Sequence, residues 1–279
     1  MSHQYQCPLR WGDMDAQGHL NNAVYLDYLQ EARVDFLLSG PPVTQELLTT
    51  GVLVVSHQVE YMQPVAFSET PMTISLWIDA IGASRFAIGY DMFDGGLLAA
   101  RARTAAVPYD LARNVLRRLL PGEREVLSGH LAPSEPLRPL PRQRWTSGGH
   151  RYPLAVRWSD LDSYGHVNNV KYFDYIQEAR IALMADTLGW PAGAEAGRAV
   201  WVIVRQDLEY LTPIDFRTEP YEVVSVVSAV GQRSFTLAAE IRDPLTASTY
   251  AAARTVVVGP ERLSDDARQC LQRWSAPEA

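Results

Sequence analysis

The chain contains a long internal repeat, and this repeat restricts its possible folds more than any other pattern in the sequence. Residues 10–33 read RWGDMDAQGHLNNAVYLDYLQEAR, and residues 157–180 read RWSDLDSYGHVNNVKYFDYIQEAR. The two segments align without a gap, and each residue of the second lies 147 positions after its counterpart. A match of this length predicts a duplicated structural unit.

The repeat continues downstream with small shifts in spacing. VEYMQPVAF at 59–67 matches LEYLTPIDF at 208–216, now 149 positions later, and ART at 102–104 matches ART at 253–255. Hairpin loops that differ by two residues explain such shifts. The duplication therefore covers about 115 residues per copy.

These matches predict the domain organisation. We expect an N-terminal domain over 1–120, a C-terminal domain over 151–262 and a tail over 263–279. The intervening segment 121–150 is rich in Pro, Arg, Ser and Gly. That composition favours a linker at the surface.

The start of each copy has the periodicity of a helix with one buried face. After the Asn-Asn pair, apolar residues recur at intervals of three and four, as at Tyr25, Tyr28, Leu29, Ala32 and Phe36. We predict helices near 22–38 and 169–186, with Asn21 or Asn22 as the N-cap of the first.

The residues after the helix alternate between apolar and polar with a period near two. Four such runs lie at 52–61, 72–81, 84–93 and 97–107, separated by turn residues. This pattern predicts an antiparallel meander. One helix on one face of such a sheet is an α+β arrangement.

Composition and charge exclude several classes of function. The formal net charge of −7 disfavours a nucleic-acid-binding protein, which normally has a basic face. No run approaches the roughly 18 apolar residues of a membrane span. The N-terminus lacks the profile of a signal peptide, so we expect a cytoplasmic protein. The two cysteines, Cys7 and Cys270, lack metal-ligand spacing and form no disulfide framework.

The arrangement strand–DxDxxGHxNNxxYxxYxxEAR–helix–meander resembles the hotdog thioesterases of the 4-hydroxybenzoyl-CoA thioesterase type. The resemblance covers most of both halves. It implies two tandem hotdog domains, each a long helix on a curved antiparallel sheet, paired as an intramolecular pseudo-dimer. It also implies acyl-CoA thioesterase activity without a metal or organic cofactor.

The same resemblance assigns site residues. It implies that the second aspartate of each DxD motif, Asp15 and Asp162, is the catalytic carboxylate. It implies that a backbone amide near the helix start, at Asn22 and Asn169, polarises the thioester carbonyl.

These residue types suit thioester hydrolysis. A carboxylate can attack the carbonyl directly or deprotonate a water, and both roles stay open for the aspartates. Amides at a helix N-terminus can stabilise the developing oxyanion. Gly18 permits a turn between the carboxylate and the helix start. His19 and His166 either orient the aspartate, water or acyl group, or bond the turn structurally.

Other acidic residues of the motif have structural interpretations. Asp13 and Asp160 are predicted to bond nearby backbone amides in Asx turns. Glu31 and Glu178 lie on the predicted helices, where another hotdog lineage carries its catalytic carboxylate. An inter-element salt bridge is the preferred interpretation for both glutamates.

Coenzyme A carries phosphates, and arginine matches their geometry. The candidates for CoA binding are Arg85, Arg103, Arg205, Arg233 and Arg254, with Arg101 as a further possibility on the same strand as Arg103. A solvated strand face is the alternative explanation for these arginines.

Two other functions compete with the acyl-CoA thioesterase. Plant acyl-ACP thioesterases are also tandem hotdogs with a similar motif, but a site for an acidic carrier protein would be basic. A non-catalytic acyl-CoA-binding protein would have the same fold, with sites that bind the thioester without hydrolysing it. Because hotdog proteins often associate further, we expect a homodimer of tandem chains.

Overall fold

A computed structural model describes residues 2–138, 140–142, 145, 147–189 and 201–275. The chain divides into two compact units, Met1–Arg138 and Pro139–Ala279. Each unit is described separately below.

The first unit combines one long helix, two shorter helices and an antiparallel sheet. In chain order its elements are β1 His3–Cys7, α1 Tyr25–Ser39, α2 Pro42–Thr50, β2 Val52–Tyr61, β3 Met72–Ile81, β4 Phe86–Asp94, β5 Leu97–Asp110, β6 Val115–Leu116 and α3 Pro121–Gly129. Five strands form the sheet in the order β1-β3-β4-β5-β2, and every neighbouring pair is antiparallel. Helix α1 packs on β1 and β3.

The second unit repeats this topology. Its elements are β7 His150–Leu154, α4 Lys171–Leu188, β8 Val202–Tyr210, β9 Tyr221–Val230, β10 Ser234–Arg242, β11 Thr249–Val258 and α5 Asp265–Gln272. Within the unit the strand order is β7-β9-β10-β11-β8, again antiparallel throughout. Helix α4 packs on β7 and β9.

The core of each unit lies between the long helix and the sheet. The buried face of α1 includes Tyr25, Leu29, Ala32 and Phe36, as the periodicity predicts. Leu29 and Ala32 are fully buried, as are Ile74 and Leu76 on β3. Burying such side chains stabilises a fold by about 1.5–3 kcal/mol each.

The four predicted strands are confirmed, but only β3, β4 and β5 form the predicted meander, because β2 pairs with β5 and not with β3. The runs at 52–61 and 72–81 coincide with β2 and β3, and those at 84–93 and 97–107 match β4 and β5 to within three residues. The fold class is α+β, as expected. The predicted N-cap is wrong, because α1 begins at Tyr25 after Val24, which makes no side-chain cap.

Two helices lie in segments that the sequence repeat does not cover. Helix α3 falls within 121–150. The residues that follow it join β3, because Ile78 N donates to His130 O (3.0 Å) and Leu131 forms a parallel bridge with Ile78. Helix α5 falls within 263–279, and Val227 N donates likewise to Trp274 O (2.9 Å). Val227 lies 149 positions after Ile78. The structural repeat therefore extends past the sequence repeat at the C-terminal end of each copy.

Candidate functional site

The DxDxxGH segment folds into the same tight loop in both copies. Asp15 N donates to His19 O (2.7 Å), and Gly18 N donates to Asp15 O (3.0 Å). In the second copy Asp162 N donates to His166 O (2.8 Å) and Gly165 N to Asp162 O (3.0 Å). Both glycines have left-handed backbone, with φ of +79° and +82°. A residue with a Cβ is strained at such angles, which explains the glycine in the motif.

The loop holds the carboxylate of Asp15 in one orientation. Its Oδ1 accepts hydrogen bonds from Gln17 N (2.8 Å) and His19 N (3.1 Å). Its Oδ2 accepts none from the residues that the structure describes, and the side chain is partly exposed. Asp162 repeats the arrangement, because its Oδ1 accepts from Tyr164 N (2.8 Å). Each loop therefore presents one oriented carboxylate oxygen that a substrate or a water can approach.

The Asn-Asn pair joins the loop to the long helix. The side chain of Asn21 accepts a hydrogen bond from Ala23 N (3.0 Å), which forms a turn just before α1 rather than a cap. Asn22 O accepts from the Tyr61 hydroxyl (2.8 Å), and Asn169 O accepts from the Tyr210 hydroxyl (2.6 Å). Strands β2 and β8 thus anchor the helix start in their own units. The backbone of Asn22 and Asn169 lies between the loop and the first helical turn.

The first aspartate of each DxD motif connects the loop to the long helix of its unit. Asp13 Oδ2 accepts from the Tyr28 hydroxyl (2.7 Å) and from Arg10 Nε (2.8 Å). Asp160 Oδ2 accepts from the Tyr175 hydroxyl (2.7 Å) and from Arg157 N (2.9 Å). Asp160 thus bonds a nearby backbone amide, as expected, whereas Asp13 bonds side chains, and each aspartate also accepts from a helix tyrosine that was not expected. These tyrosines lie 15 residues from their aspartates, so local sequence reasoning missed them.

We expect Tyr28→Phe and Tyr175→Phe each to lower the free energy of unfolding by about 1–3 kcal/mol, because each aspartate carboxylate then loses one of its two donors. The effect should be larger for Tyr175, since Asp160 is 5% exposed. Burial and the hydrogen bond to aspartate raise the pKa of both tyrosines, so the hydroxyls remain donors over the whole neutral range. Urea unfolding measures the change. Tyr5→Phe is the control, because its hydroxyl has no hydrogen bond to a described residue, and an equal loss there would contradict the prediction.

Two further tyrosines pack beside the loop. Tyr25 and Tyr172 are buried at the helix starts and contact Tyr61 and Tyr210 edge to face, with centroids 5.1 and 5.0 Å apart. Burial raises the pKa of both, and the nearby charges of Asp15 and Asp162 add to the rise. Tyr25 therefore lies on the buried helix face that the periodicity predicts, and Tyr172 is buried in the same way in the second copy.

The two histidines differ in their surroundings. His19 forms an isolated antiparallel bridge with Ala66, whereas His166 Nε2 lies 3.8 Å from Asp215 Oδ1. Asp215 is the counterpart of Ala66 in the repeat. Both histidines are partly exposed next to the loop. The second copy therefore has a charged neighbour that the first copy lacks.

The helix glutamates do not join the site. Glu31 and Glu178 are exposed, and neither forms an ion pair with any described residue. The inter-element salt bridge expected for them is therefore wrong. Their exposure also places them on the face of each helix away from the core.

Most of the arginines proposed for CoA binding already have partners. Arg103 pairs with Asp79, Arg205 with Asp207, and Arg254 with Glu209 at 2.9 Å. Arg233 donates to Gly259 O and Pro260 O, and Arg101 pairs with Asp91 at 3.2 Å. Arg85 is exposed, and its side chain has no ion-pair partner among the described residues. The structure brings none of these side chains into the DxDxxGH loops through a hydrogen bond.

Clusters of metal-ligand side chains and long apolar helices are both absent from the described part of the chain. No three or more of its His, Cys, Asp and Glu side chains cluster closely enough to hold a metal ion. None of its helices is long and apolar enough to span a bilayer.

Comparison with known proteins identifies the class of protein. A family model described as "Thioesterase-like superfamily" matches residues 9–137 and 156–261, so each copy matches separately. The chain therefore belongs to the thioesterase-like superfamily. The fold is a tandem pair of hotdog domains, as the resemblance implied.

Solved structures with the same fold span nearly the whole chain. The 12:0-ACP thioesterase from Umbellularia californica is 16% identical with a TM-score of 0.73, covering 92% of this chain and 94% of its own. An acyl-ACP thioesterase from Bacteroides thetaiotaomicron VPI-5482 is 15% identical with a TM-score of 0.64, covering 92% and 97%. At these identities the likeness concerns the fold.

A curated relative matches one part of the chain. The uncharacterized protein YsmA of Bacillus subtilis (strain 168) is 33% identical over 102 residues. The match covers 35% of this chain and 65% of the relative, which is just under two thirds of that protein.

Proposed function

We propose that this protein hydrolyses acyl-CoA thioesters to the free acid and CoA. The observation that carries the proposal is the duplicated loop, in which Asp15 and Asp162 each present an oriented, partly exposed carboxylate oxygen beside a helix start. Membership of the thioesterase-like superfamily supports thioester hydrolysis as the general chemistry.

The carboxylate can act in two ways. As a base it takes a proton from water, and the resulting hydroxide attacks the thioester carbonyl carbon. As a nucleophile it attacks that carbon itself and forms an acyl anhydride, which water then cleaves. In both routes the C–S bond breaks, CoA leaves as a thiolate that takes up a proton, and the acid is released.

The helix start supplies the second requirement. Negative charge develops on the carbonyl oxygen in either route, and backbone amides at a helix N-terminus stabilise it. We assign this role to the amides of Asn22 and Asn169, with His19 and His166 orienting the substrate or the water. The hydrogen bonds from Tyr61 and Tyr210 to the carbonyls of Asn22 and Asn169 support the assignment, because they fix the next peptide and so restrict the residue that carries each amide.

Arg85 is the strongest of the five arginines proposed for CoA phosphates. It is exposed and lacks an acidic partner within the described ranges, whereas Arg103, Arg205 and Arg254 are already neutralised by carboxylates.

A hydrolase of acyl-ACP is the second candidate. Two solved structures with the same tandem fold are named as ACP thioesterases, and this shared fold favours the acyl-ACP candidate. The net charge of −7 disfavours the carrier protein, because an acidic carrier protein needs a basic docking face.

A side-by-side assay decides between them. The same short, long and aromatic acyl groups would be presented on CoA and on acyl carrier protein. We expect kcat/KM for the best acyl-CoA to exceed that of the matching acyl-ACP by at least about tenfold, the scale of one lost charged contact. The reverse ratio would transfer the function to acyl-ACP. Saturable binding of acyl-CoA without turnover would make the protein an acyl-CoA-binding protein.

A further inference from the structure

Each copy exposes a tryptophan that is held edge to face by a phenylalanine. Trp11 is 75% exposed and Trp158 is 74% exposed. Their rings meet Phe67 and Phe216 at centroid distances of 5.3 and 5.5 Å and interplanar angles of 82° and 89°. The pairs occupy equivalent positions in the two copies. Each tryptophan ring therefore keeps a fixed orientation while most of its surface stays open.

The aromatic pair borders the candidate reaction site. Trp11 begins the one-turn 3₁₀ helix that leads into the DxD loop, and its carbonyl accepts from Met14 N (3.2 Å). Phe67 directly follows Ala66, which pairs with His19. Trp158 begins the equivalent turn, and Phe216 follows Asp215, the neighbour of His166.

An exposed arginine accompanies each tryptophan. The side chain of Arg10 is 65% exposed and bonds Asp13 through its Nε, so the far edge of its guanidinium faces solvent. Arg157 is exposed as well, and its side chain has no ion-pair partner among the described residues. An exposed aromatic ring with an arginine as its chain neighbour suits a planar base that carries phosphates, because the base can stack on the ring while the arginine contacts a phosphate.

We propose that Arg10, Trp11 and Phe67, and equally Arg157, Trp158 and Phe216, bind the adenine nucleotide end of CoA. The proposal rests on the proposed function, since it names the part of an acyl-CoA that each copy binds outside the loop. CoA carries an adenine base and phosphates at the end remote from the thioester, which matches the open ring and the neighbouring cation. The side chains of Arg103, Arg205 and Arg254 are paired with carboxylates and at most 21% exposed, whereas the Arg10 side chain is 65% exposed and is therefore the more accessible cation.

The test compares two thioesters with the same acyl group. An acyl-CoA has the nucleotide, and the matching acyl-N-acetylcysteamine thioester lacks it. For the Trp11→Ala, Trp158→Ala double variant we expect the KM for acyl-CoA to rise about tenfold relative to the KM for the N-acetylcysteamine thioester, the scale of one lost base stack. Leu245→Ala is the matched control, because Leu245 is 81% exposed and lies on a different turn.

A binding measurement keeps the test independent of turnover. Adenosine 3′,5′-bisphosphate contains the nucleotide without a thioester, so calorimetry with this probe works even if no thioester is hydrolysed. We expect the wild-type protein to bind it and the double variant to bind it at least about tenfold more weakly. Arg10→Gln with Arg157→Gln should reduce the salt dependence of that binding.

Four results would overturn the proposal. One is an equal KM change for both thioesters, which would place the aromatic pair against the acyl or pantetheine group. A second is an effect confined to acyl-ACP, which would make it a carrier contact. A third is a change of molecular mass in light scattering, which would make it an interface between copies of this chain. The fourth is the absence of adenosine 3′,5′-bisphosphate binding at millimolar concentration.

Discussion

Replacing both Asp15 and Asp162 by asparagine should lower kcat for acyl-CoA hydrolysis by at least about 10², the scale expected for losing a base or nucleophile. The substitution keeps the size of the side chain and the Oδ1 acceptor that Gln17 and His19 use in the first loop. It removes only the charge and the second carboxylate oxygen. The loop should therefore keep its shape, and thermal unfolding should stay near that of the wild type.

The single variants separate the two sites. Asp15→Asn should retain the turnover of the second copy, and Asp162→Asn that of the first. The rates need not be equal, because Asp215 stands beside His166 where the first copy has Ala66. Complete loss from either single change would mean that the sites are coupled or that one alone is competent.

Asp91→Asn serves as the control for the removal of a carboxylate charge, because Asp91 pairs with Arg101 on the sheet and takes no part in either loop. Near-normal hydrolysis by the folded double variant would remove both aspartates from the mechanism. Glu31 and Glu178 would then be the remaining carboxylates of the motif, in spite of their exposure.

Valine in place of both loop glycines, Gly18 and Gly165, should also lower kcat by about 10². A β-branched residue is strongly disfavoured at φ near +80°, so the turn must open to relieve the strain. Opening the turn moves the carboxylate relative to the helix start, and a displacement of about 1 Å can cost a factor of this size. Steady-state kinetics measure the loss, and circular dichroism checks that the fold persists.

Gly148→Val separates strain from function. Gly148 has φ of +78° and no neighbouring atom within 4 Å of an added Cβ, and the same is true of Gly18. The control should therefore lose about 1–2 kcal/mol of stability, as much as each loop glycine contributes to the loss in the double variant, while kcat stays close to the wild-type value. An equal loss of kcat in the control would show that global destabilisation, and not the loop geometry, lowers the rate.

The sequence alone predicted the elements that depend on local patterns. Strands β2 and β3 match the predicted runs because alternation of apolar and polar residues is a property of neighbouring positions. The loop was predictable for a similar reason, since Gly18 and Asp15 act through backbone angles and hydrogen bonds within five residues. The duplication doubled this evidence, because two independent copies kept the same pattern.

The helix start shows where local reasoning became imprecise. The pattern placed it at 22, whereas α1 begins at Tyr25, because Asn21 bonds Ala23 N and forms a turn first. Asparagine favours both a cap and such a turn. Which of the two it adopts depended on the rest of the loop, where Asn21 N is held by Asp13 O.

Tertiary structure alone decided which charged groups are available and which elements complete each unit. The arginines looked equivalent in sequence, but partners from other strands or distant positions, such as Asp79 for Arg103 and Glu209 for Arg254, neutralise some of them. The hydroxyl of Tyr175 reaches Asp160 only because α4 packs over the loop. Helices α3 and α5 are recognisable as counterparts because the residues that follow them, Leu131 and Ser275, form parallel bridges with Ile78 and Val227. The physical reason is the same in each case: these contacts join residues far apart in the chain, and only the packed fold brings them together.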